Sequence, residues 1–235
     1  MPSMAPHLAE VANLVGDLAR ANILSALMDN RALTAGELAH AARVSPQTTS
    51  SHLVKLTNAQ LLQATQQGRH RYYRLASPLG AQMLETVMVV AGDRLSKLPP
   101  SSKASEELRA ARSCYDHLAG RLGVACAEAL TARGFIILEP EGAQLTPCGM
   151  DFLDELGLKI HSLPRSRRIF CRPCLDWSER RYHLAGRLGA LFLGFCLDRQ
   201  WLERRSDSRA LRITRLGAQQ FAEIFQIEHP PSAIV

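Results

Sequence analysis

The chain has 235 residues, enough for one large domain or two small ones, and 46% of them are hydrophobic, which is sufficient for a buried core. The formal net charge of +6 favours an anionic partner, either nucleic acid or a membrane surface. No apolar run is long enough to span a bilayer and no signal-peptide pattern is visible. The six cysteines begin only at Cys114, so we expect a reducing, cytoplasmic setting and no disulfide scaffold.

The N-terminal third is predicted to be helical. Apolar residues recur there at helical spacing, at Leu8, Val11, Ala12, Val15, Leu18, Ile23 and Leu27. Thr34 with Glu37 three residues later forms a capping box that starts a short helix ending at Ala42. Ser45 can cap a second helix, since Pro46 suits its first position. This pattern predicts a helix-turn-helix.

The second helix, residues 47–56, has two chemically different sides. Leu53 and Leu56 can share a small core with Leu38, and hydrogen-bonding side chains lie on the outer side. This polar side predicts a recognition helix for DNA. The predicted DNA-contacting residues on this helix are Gln47, Thr48, Ser50, Ser51, His52 and Lys55. His52 could contact a base or a phosphate, or could simply be solvated.

Residues 61–75 alternate in polarity and predict two strands that meet at a turn formed by Gln67 and Gly68. The tip of this hairpin carries Arg69, His70 and Arg71, which completes the predicted DNA-contacting set. A basic hairpin directly after a recognition helix is typical of a wing that contacts the phosphate backbone or the minor groove.

Residues 33–75 resemble the winged-helix domain of ArsR-type (ArsR/SmtB) repressors, and the resemblance covers about the first ninety-five residues. It implies that residues 45–56 form the recognition helix and residues 68–75 the second strand of the wing. It also implies a non-enzymatic transcriptional regulator that binds double-stranded operator DNA as a homodimer through its first and last helices. The apolar excess of residues 78–97 agrees with such a dimer, although that helix could instead be buried within one chain, and a winged helix can also bind protein rather than DNA.

The C-terminal part contains a repeat, because HLAGRLG occurs at residues 117–123 and again at 183–189. Two Pro- and Ser-containing breaks, at 98–105 and 161–168, flank the first copy. Each copy predicts a long helix, a short hairpin and a second helix, over about 104–158 and 175–227. The predicted fold is therefore mainly α with short β-hairpins (α+β): a winged helix-turn-helix domain at 1–97 and an internally duplicated sensor domain at 98–235.

The metal sites that the resemblance implies are absent from the sequence. The thiolate site of the family lies on the first helix of the helix-turn-helix, and residues 37–42 contain no cysteine. The zinc site of its last helix uses Asp and His, and residues 80–97 offer Asp93 and Glu85 but no His. We therefore assign no metal ligands and no cofactor from the sequence.

A sensory site is expected in the repeat domain, where the two long helices meet. The candidates are Cys114, His117, Cys171, Cys174, Trp177 and His183. Cys114 is placed one helical turn before His117. Cys171 and Cys174 could form a redox pair, half of a zinc site with His161 or His183, or two independent cysteines. The repeated glycines predict close helix packing or, alternatively, a pocket that includes Arg121 and Arg187.

These features predict a repressor that a small molecule, a metal or a thiol-reactive signal releases from its operator. The alternative is an enzyme or ligand-binding protein built on the repeat domain, with an auxiliary winged helix. In the sequence we recognise no phosphate-binding loop, metal cluster or catalytic triad that would support this alternative.

Overall fold

The computed structural model describes residues 4–95, 103–205 and 208–227. The chain divides into two compact units, Met1–Val87 and Met88–Val235. The boundary that we predicted at residue 97, and most of the predicted linker at 98–105, lie outside the described residues. Among the helices that are described, none is both long and apolar enough to cross a membrane.

The N-terminal unit consists of helices and one small antiparallel sheet. Its helices are α1 (Ala5–Gly16), α2 (Leu18–Ala26), α3 (Ala35–Ala42), α4 (Pro46–Asn58) and α5 (Pro78–Leu95), the last of which continues into the second unit. Its strands are β1 (Leu33–Thr34), β2 (Leu62–Gln67) and β3 (His70–Leu75), in the order β1-β3-β2. Strand β1, whose Leu33 pairs with Tyr73, was not predicted from the sequence.

Local capping sets the start of both helices of the helix-turn-helix, as predicted. The Thr34 side chain accepts a hydrogen bond from the backbone N–H of Glu37, and the Glu37 carboxylate accepts one from the Thr34 N–H at 2.7 Å. The Ser45 hydroxyl accepts from the Thr48 N–H at 3.1 Å, with Pro46 at the first helical position. These caps satisfy backbone donors that a helix start leaves without partners.

The wing turn differs by one residue from the prediction. Gln67 pairs with His70, so the two turn residues are Gly68 and Arg69 rather than Gln67 and Gly68. Gly68 has a φ of 59°. Glycine is the residue favoured at the first central position of such two-residue turns, where φ is positive.

The C-terminal unit runs twice through the same order of elements, a β-hairpin, a helix, a second hairpin and a second helix. After α6 (Lys103–Ala110), the first series is β4 (Arg112–Cys114), β5 (His117–Ala119), α7 (Gly120–Ala132), β6 (Ile136–Glu139), β7 (Gly142–Leu145) and α8 (Pro147–Leu156). The second is β8 (Arg172–Leu175), β9 (Tyr182–Ala185), α9 (Gly186–Asp198), β10 (Leu202–Arg204), β11 (Leu211–Ile213) and α10 (Arg215–Phe225). An internal duplication as the origin of the two series stays a prediction.

From the sequence we expected the long helix of each copy at residues 113–129 and 179–196, and both predictions are wrong in their first turns. Only the GRLG half of each repeated heptapeptide is helical, and the preceding HLA forms a strand. Gly120 and Gly186 stand at the junctions with φ of 79° and 83°, and a Cβ would lie 2.7 Å from the Arg109 carbonyl and 2.8 Å from the Phe170 carbonyl, respectively. A helix cannot pass through residues held in this left-handed conformation, so it begins there.

The glycines that we expected to bring two helices together instead make room for strands. A Cβ on Gly123 would lie 2.6 Å from the carbonyl oxygen of Leu118, and one on Gly189 would lie 2.4 Å from that of Leu184. Each helix also packs on the hairpin of the other series, α7 on β9 and α9 on β5. The unit is closed by a shared apolar core that includes Leu122, Leu130, Leu188, Phe192, Phe221 and Phe225.

Two glycines of α9 make a matched test of this packing. Gly189→Ala should lower the free energy of unfolding by about 1–3 kcal/mol, because its methyl group meets the Leu184 backbone. Gly194 has nothing within 4 Å of its Cβ position, so Gly194→Ala should leave stability unchanged or raise it by up to about 1 kcal/mol. Urea unfolding measures both variants. Equal stability of Gly189→Ala and wild type would contradict the close strand contact.

Candidate functional site

The outer side of α4 is polar and open to solvent. Gln47, Thr48, Ser50, Ser51 and Lys55 are all exposed. The opposite side buries three residues against the rest of the N-terminal unit, namely Thr49, Leu53 and Leu56. Burial of one side fixes the helix and leaves the predicted recognition side free to meet a ligand.

Some of these side chains are already engaged within the helix. The hydroxyl oxygens of Thr48 and Ser45 lie 2.9 Å apart, and the Ser50 hydroxyl donates to the Pro46 carbonyl at 2.9 Å. Engagement of this kind leaves a hydroxyl oxygen mainly as an acceptor. The exposed Gln47 amide, Ser51 hydroxyl and Lys55 ammonium remain as outward donors of this helix.

His52 is half-buried and is oriented by Arg20 of α2, a residue that the sequence analysis missed. Arg20 donates to the carbonyls of Leu14 at 2.8 Å and Asn13 at 2.9 Å, and its Nη1 lies 3.4 Å from His52 Nδ1. A guanidinium can only donate, so the Nδ1 atom accepts and the proton of the neutral ring resides on Nε2. The remaining edge of His52 therefore offers a donor, which suits a phosphate oxygen or a base acceptor.

The tip of the β2–β3 hairpin is basic. Arg69, His70 and Arg71 are exposed there, and Arg74 on the same strand donates to Gln63 at 3.3 Å. Exposed cations with long side chains are well suited to contact phosphates without reading the base sequence. The structure thus presents all the predicted DNA-contacting residues on α4 and on this hairpin, with His52 alone half-buried.

In the C-terminal unit, the structure brings four of the six predicted sensor residues together. Cys114 pairs with His117 across the β4–β5 hairpin, and Cys174 pairs with His183 across the β8–β9 hairpin. The ligand atoms of the four side chains all lie within 4.8 Å of one another. Their exposed fractions are 5%, 1%, 6% and 0% for Cys114, His117, Cys174 and His183, so the cluster is buried.

The two imidazole rings of this cluster, defined as Cys114, His117, Cys174 and His183, face each other. Their Nε2 atoms are 3.1 Å apart and their rings are stacked, with centroids 5.1 Å apart. Each Nδ1 lies 3.4 Å from a carboxylate oxygen, of Asp116 for His117 and of Asp176 for His183. Cys114 was predicted to lie one helical turn before His117; the two residues are instead cross-strand partners.

Each of these carboxylates is held by an arginine. Arg168 contacts Asp116 at 2.6 Å, and Arg112 contacts Asp176 at 2.8 Å, the latter pair fully buried. Asp176 Oδ2 also accepts from the Gly120 N–H at 2.7 Å, which ties the second hairpin to the start of α7. Burial raises the pKa of Asp176, but Arg112 and His183 outweigh it and hold the pKa well below its usual range.

The thiols and imidazoles of the cluster interact with one another. A hydrogen bond with Cys174 lowers the pKa of the Cys114 thiol, burial raises it, and hydrogen bonds with His117 and His183 lower it further, so that the net shift is well below the ordinary value. Burial lowers the pKa of His183. Both shifts arise from how closely these polar groups are packed inside the C-terminal unit.

The loop at residues 176–181 joins this cluster to α5. The Trp177 ring lies under the Arg112 guanidinium at 4.5 Å, and a Cβ on Gly92 of α5 would meet the Trp177 carbonyl at 2.6 Å. Arg180 donates to the Val89 carbonyl at 3.0 Å. Residues that follow Asp176 in the chain therefore contact the second half of α5 directly.

Cys171 does not join the cluster, so the C-x-x-C motif is divided between two environments. Its side chain belongs to the apolar core with Cys126 and Cys196, and burial raises the pKa of the Cys171 thiol to about 12. A signal for the correct grouping was present in the sequence. Residues 112–116 (RSCYD) and 172–176 (RPCLD) share an Arg-x-Cys-x-Asp pattern, and residues 177–182 are inserted before the second histidine.

The chain resembles known regulators. The model of the "Bacterial regulatory protein, arsR family" matches residues 17–64. An uncharacterised HTH-type transcriptional regulator, YdfF of Bacillus subtilis (strain 168), is 40% identical over 225 residues, which cover 96% of this chain and 100% of that protein.

Solved structures resemble the N-terminal part. The homodimeric winged helix-turn-helix domain of Mb0332 from Mycobacterium bovis, a possible ArsR-family regulator, is 26% identical, with a TM-score of 0.37 over 40% of this chain and 87% of that one. The repressor BigR from Xylella fastidiosa is 18% identical, with a TM-score of 0.34 over 37% and 88%. On the family match and the full-length relative, the chain belongs to the arsR family of bacterial regulatory proteins, which are helix-turn-helix regulators of transcription.

Proposed function

We propose that the protein is a homodimeric repressor that binds double-stranded operator DNA in the cytoplasm and leaves it when an effector acts on the C-terminal unit. In this proposal α4 enters the major groove and the β2–β3 hairpin contacts the backbone beside it. The observation that carries the proposal is the exposed polar side of α4, followed directly in the chain by an exposed basic hairpin.

The two elements have different tasks. Gln47 and Ser51 have uncharged polar side chains that are exposed on the helix, which suit hydrogen bonds to base edges. Arg69 and Arg71 lie at the tip of a hairpin, where charge rather than geometry determines the interaction with phosphates. His52, oriented by Arg20, offers its Nε2 donor to either partner.

Exposed apolar residues on α1 and α5 support a dimer. Leu8 is 71% exposed, Leu79 is 75% exposed and Val90 is 72% exposed. An interface with a partner chain is one way in which exposed apolar side chains are covered when they form a continuous patch. Two copies related by a two-fold axis can place their α4 helices in successive major grooves, about 34 Å apart.

The connection between effector and DNA is proposed to run through α5. This helix begins in the N-terminal unit and ends in the C-terminal one. Its second half contacts Trp177 and Arg180 of the loop that follows Asp176. An effector that moves or fixes this loop would change the position of the helix that we assign to the dimer.

Variants of α4 and the wing test the DNA contacts separately. Gln47→Ala and Ser51→Ala should each lose about 1–3 kcal/mol of operator binding and relax specificity. Arg69→Ala and Arg71→Ala should weaken all sequences alike and reduce the salt slope by roughly one unit each. Fluorescence anisotropy at several salt concentrations, on an operator enriched from random duplexes, measures both effects.

Arg215→Ala is the matched control for charge, because Arg215 is exposed on α10, outside the predicted DNA-contacting set. It should leave the salt slope unchanged. If Gln47→Ala and Ser51→Ala both bind the enriched operator as tightly as wild type, α4 is not the recognition helix.

Assembly is tested by charge on the exposed side of α5. The wild type should sediment at twice 25.9 kDa. Val87→Glu combined with Val90→Glu should yield a folded monomer that does not bind operator, because charged side chains resist burial at an interface. Leu216→Glu, at an equally apolar exposed position of α10, is the control and should remain dimeric. A wild-type monomer at micromolar concentration would refute the proposed dimer.

A further inference from the structure

The geometry points to a metal site: Cys114, His117, Cys174 and His183 bind one divalent ion of the zinc class in tetrahedral coordination. This site differs from the two metal sites that the family resemblance implied, which would lie on the first helix of the helix-turn-helix and on the last helix of the winged-helix domain. The metal ion would be the effector in the proposed function. The influence of this ion on DNA binding rests on that proposed function, whereas the existence of the metal site does not.

The donor set and its spacing fit such an ion. Two thiolates and two imidazoles in tetrahedral arrangement are the donors of structural zinc sites. Zinc–nitrogen distances of about 2.0–2.1 Å imply about 3.3 Å between two ligand nitrogens. The Nε2 atoms of His117 and His183 are 3.1 Å apart, and the four donor atoms lie within 4.8 Å of one another.

The orientation of the histidines supports the same conclusion. A carboxylate faces Nδ1 of each ring at 3.4 Å, and a carboxylate favours the tautomer that carries its proton on that nitrogen. Both Nε2 atoms then lack a proton, and their lone pairs lie close together because the two nitrogens are 3.1 Å apart. Two acceptors at this distance repel unless a cation lies between them, and a shared metal ion removes the repulsion.

The charge balance selects a divalent ion. Asp116 is paired with Arg168 and Asp176 with Arg112, so the charged side chains around the four ligands have no net charge. Two thiolates then balance the charge of one divalent ion, whereas a monovalent ion would leave a buried negative charge. On binding, the metal forms bonds to both sulfur atoms and both Nε2 atoms, and any thiol proton passes to solvent.

The site would act as a clamp between the two hairpins. Each hairpin supplies one cysteine and one histidine from paired strand positions. All four donors are buried and come from the protein, which leaves no open position for a substrate and argues against catalysis. Asp176 contacts His183 and begins the loop that reaches Val89 and Gly92 of α5. Metal binding would therefore fix the loop through which, in the proposed function, the effector acts on α5.

Cobalt titration of the full-length protein tests the site. Protein stripped with chelator under reducing conditions should bind one Co²⁺ per chain, with the ligand-field absorption of tetrahedral coordination and thiolate charge-transfer absorption. One equivalent of Zn²⁺ should displace it. Cys114→Ser combined with Cys174→Ser should abolish the charge-transfer absorption and weaken zinc binding by at least about 100-fold.

Three further variants separate coordination from folding. Cys171→Ala removes a buried cysteine outside the cluster and should bind Co²⁺ as wild type does. His183→Cys keeps four donors and should retain binding with stronger charge-transfer absorption. Asp116→Asn keeps every ligand but removes the carboxylate behind His117, and should weaken zinc binding by about 10–100-fold.

Two results would overturn the site. The first is the absence of stoichiometric Co²⁺ binding by wild-type protein whose cysteines are fully reduced, even if Cys114 and Cys174 form a disulfide when the same protein is later exposed to air. The second is unchanged binding by the double cysteine variant. Operator affinity with and without Zn²⁺ is measured on the same samples. Bound metal with unchanged operator affinity would uphold the site and refute the effector role in the proposed function.

Discussion

The C-terminal unit depends on one buried carboxylate. Asp176 accepts hydrogen bonds from Arg112, from the Gly120 backbone and from Ser178, and it also faces His183. A buried ion pair stabilises a fold only when its remaining hydrogen-bonding capacity is also used, and removal of one partner is strongly destabilising. Because Arg112 and Gly120 belong to the first series of elements and Asp176 to the second, this carboxylate fixes how the two hairpins meet. The positions of both histidines, and of the loop that contacts α5, follow from it.

The two candidate regions are opposite in their physical requirements. In the proposed function the outer side chains of α4 remain solvated until DNA replaces the water, and the helix is anchored on its inner side by the buried Thr49, Leu53 and Leu56. The Cys/His cluster is buried, and a buried polar side chain is tolerated only when it is paired. Charged side chains flank the histidines of both regions, since Arg20 contacts His52 and a carboxylate oxygen lies 3.4 Å from Nδ1 of both His117 and His183.

Much of the N-terminal unit could be predicted because its signals are local. The capping box of Thr34 and Glu37 and the cap at Ser45 act over three residues, and the structure contains both. The hairpin after α4 was also predicted, with an error of one residue in its turn, because alternation in a strand does not define where the turn begins. Residues 113–119 were misassigned for a related reason. Their apolar spacing is compatible with a helix, but the strand ends and the helix begins at Gly120, which has a positive φ and no room for a Cβ beside the Arg109 carbonyl.

The sequence by itself determined the helix-turn-helix, the wing and the family, since each rests on residues close together in the chain. It also contained all four residues of the Cys/His cluster, but not their grouping. His117 and His183 are separated by 66 residues, and each is joined to its cysteine by strand pairing rather than by helical spacing. Cys171 is nearer to Cys174 in the chain than any histidine, yet it lies in the apolar core. Tertiary structure decided the site, because side chains distant in sequence converge only when two hairpins pack on each other and the alternation of each strand turns one cysteine and one histidine inward.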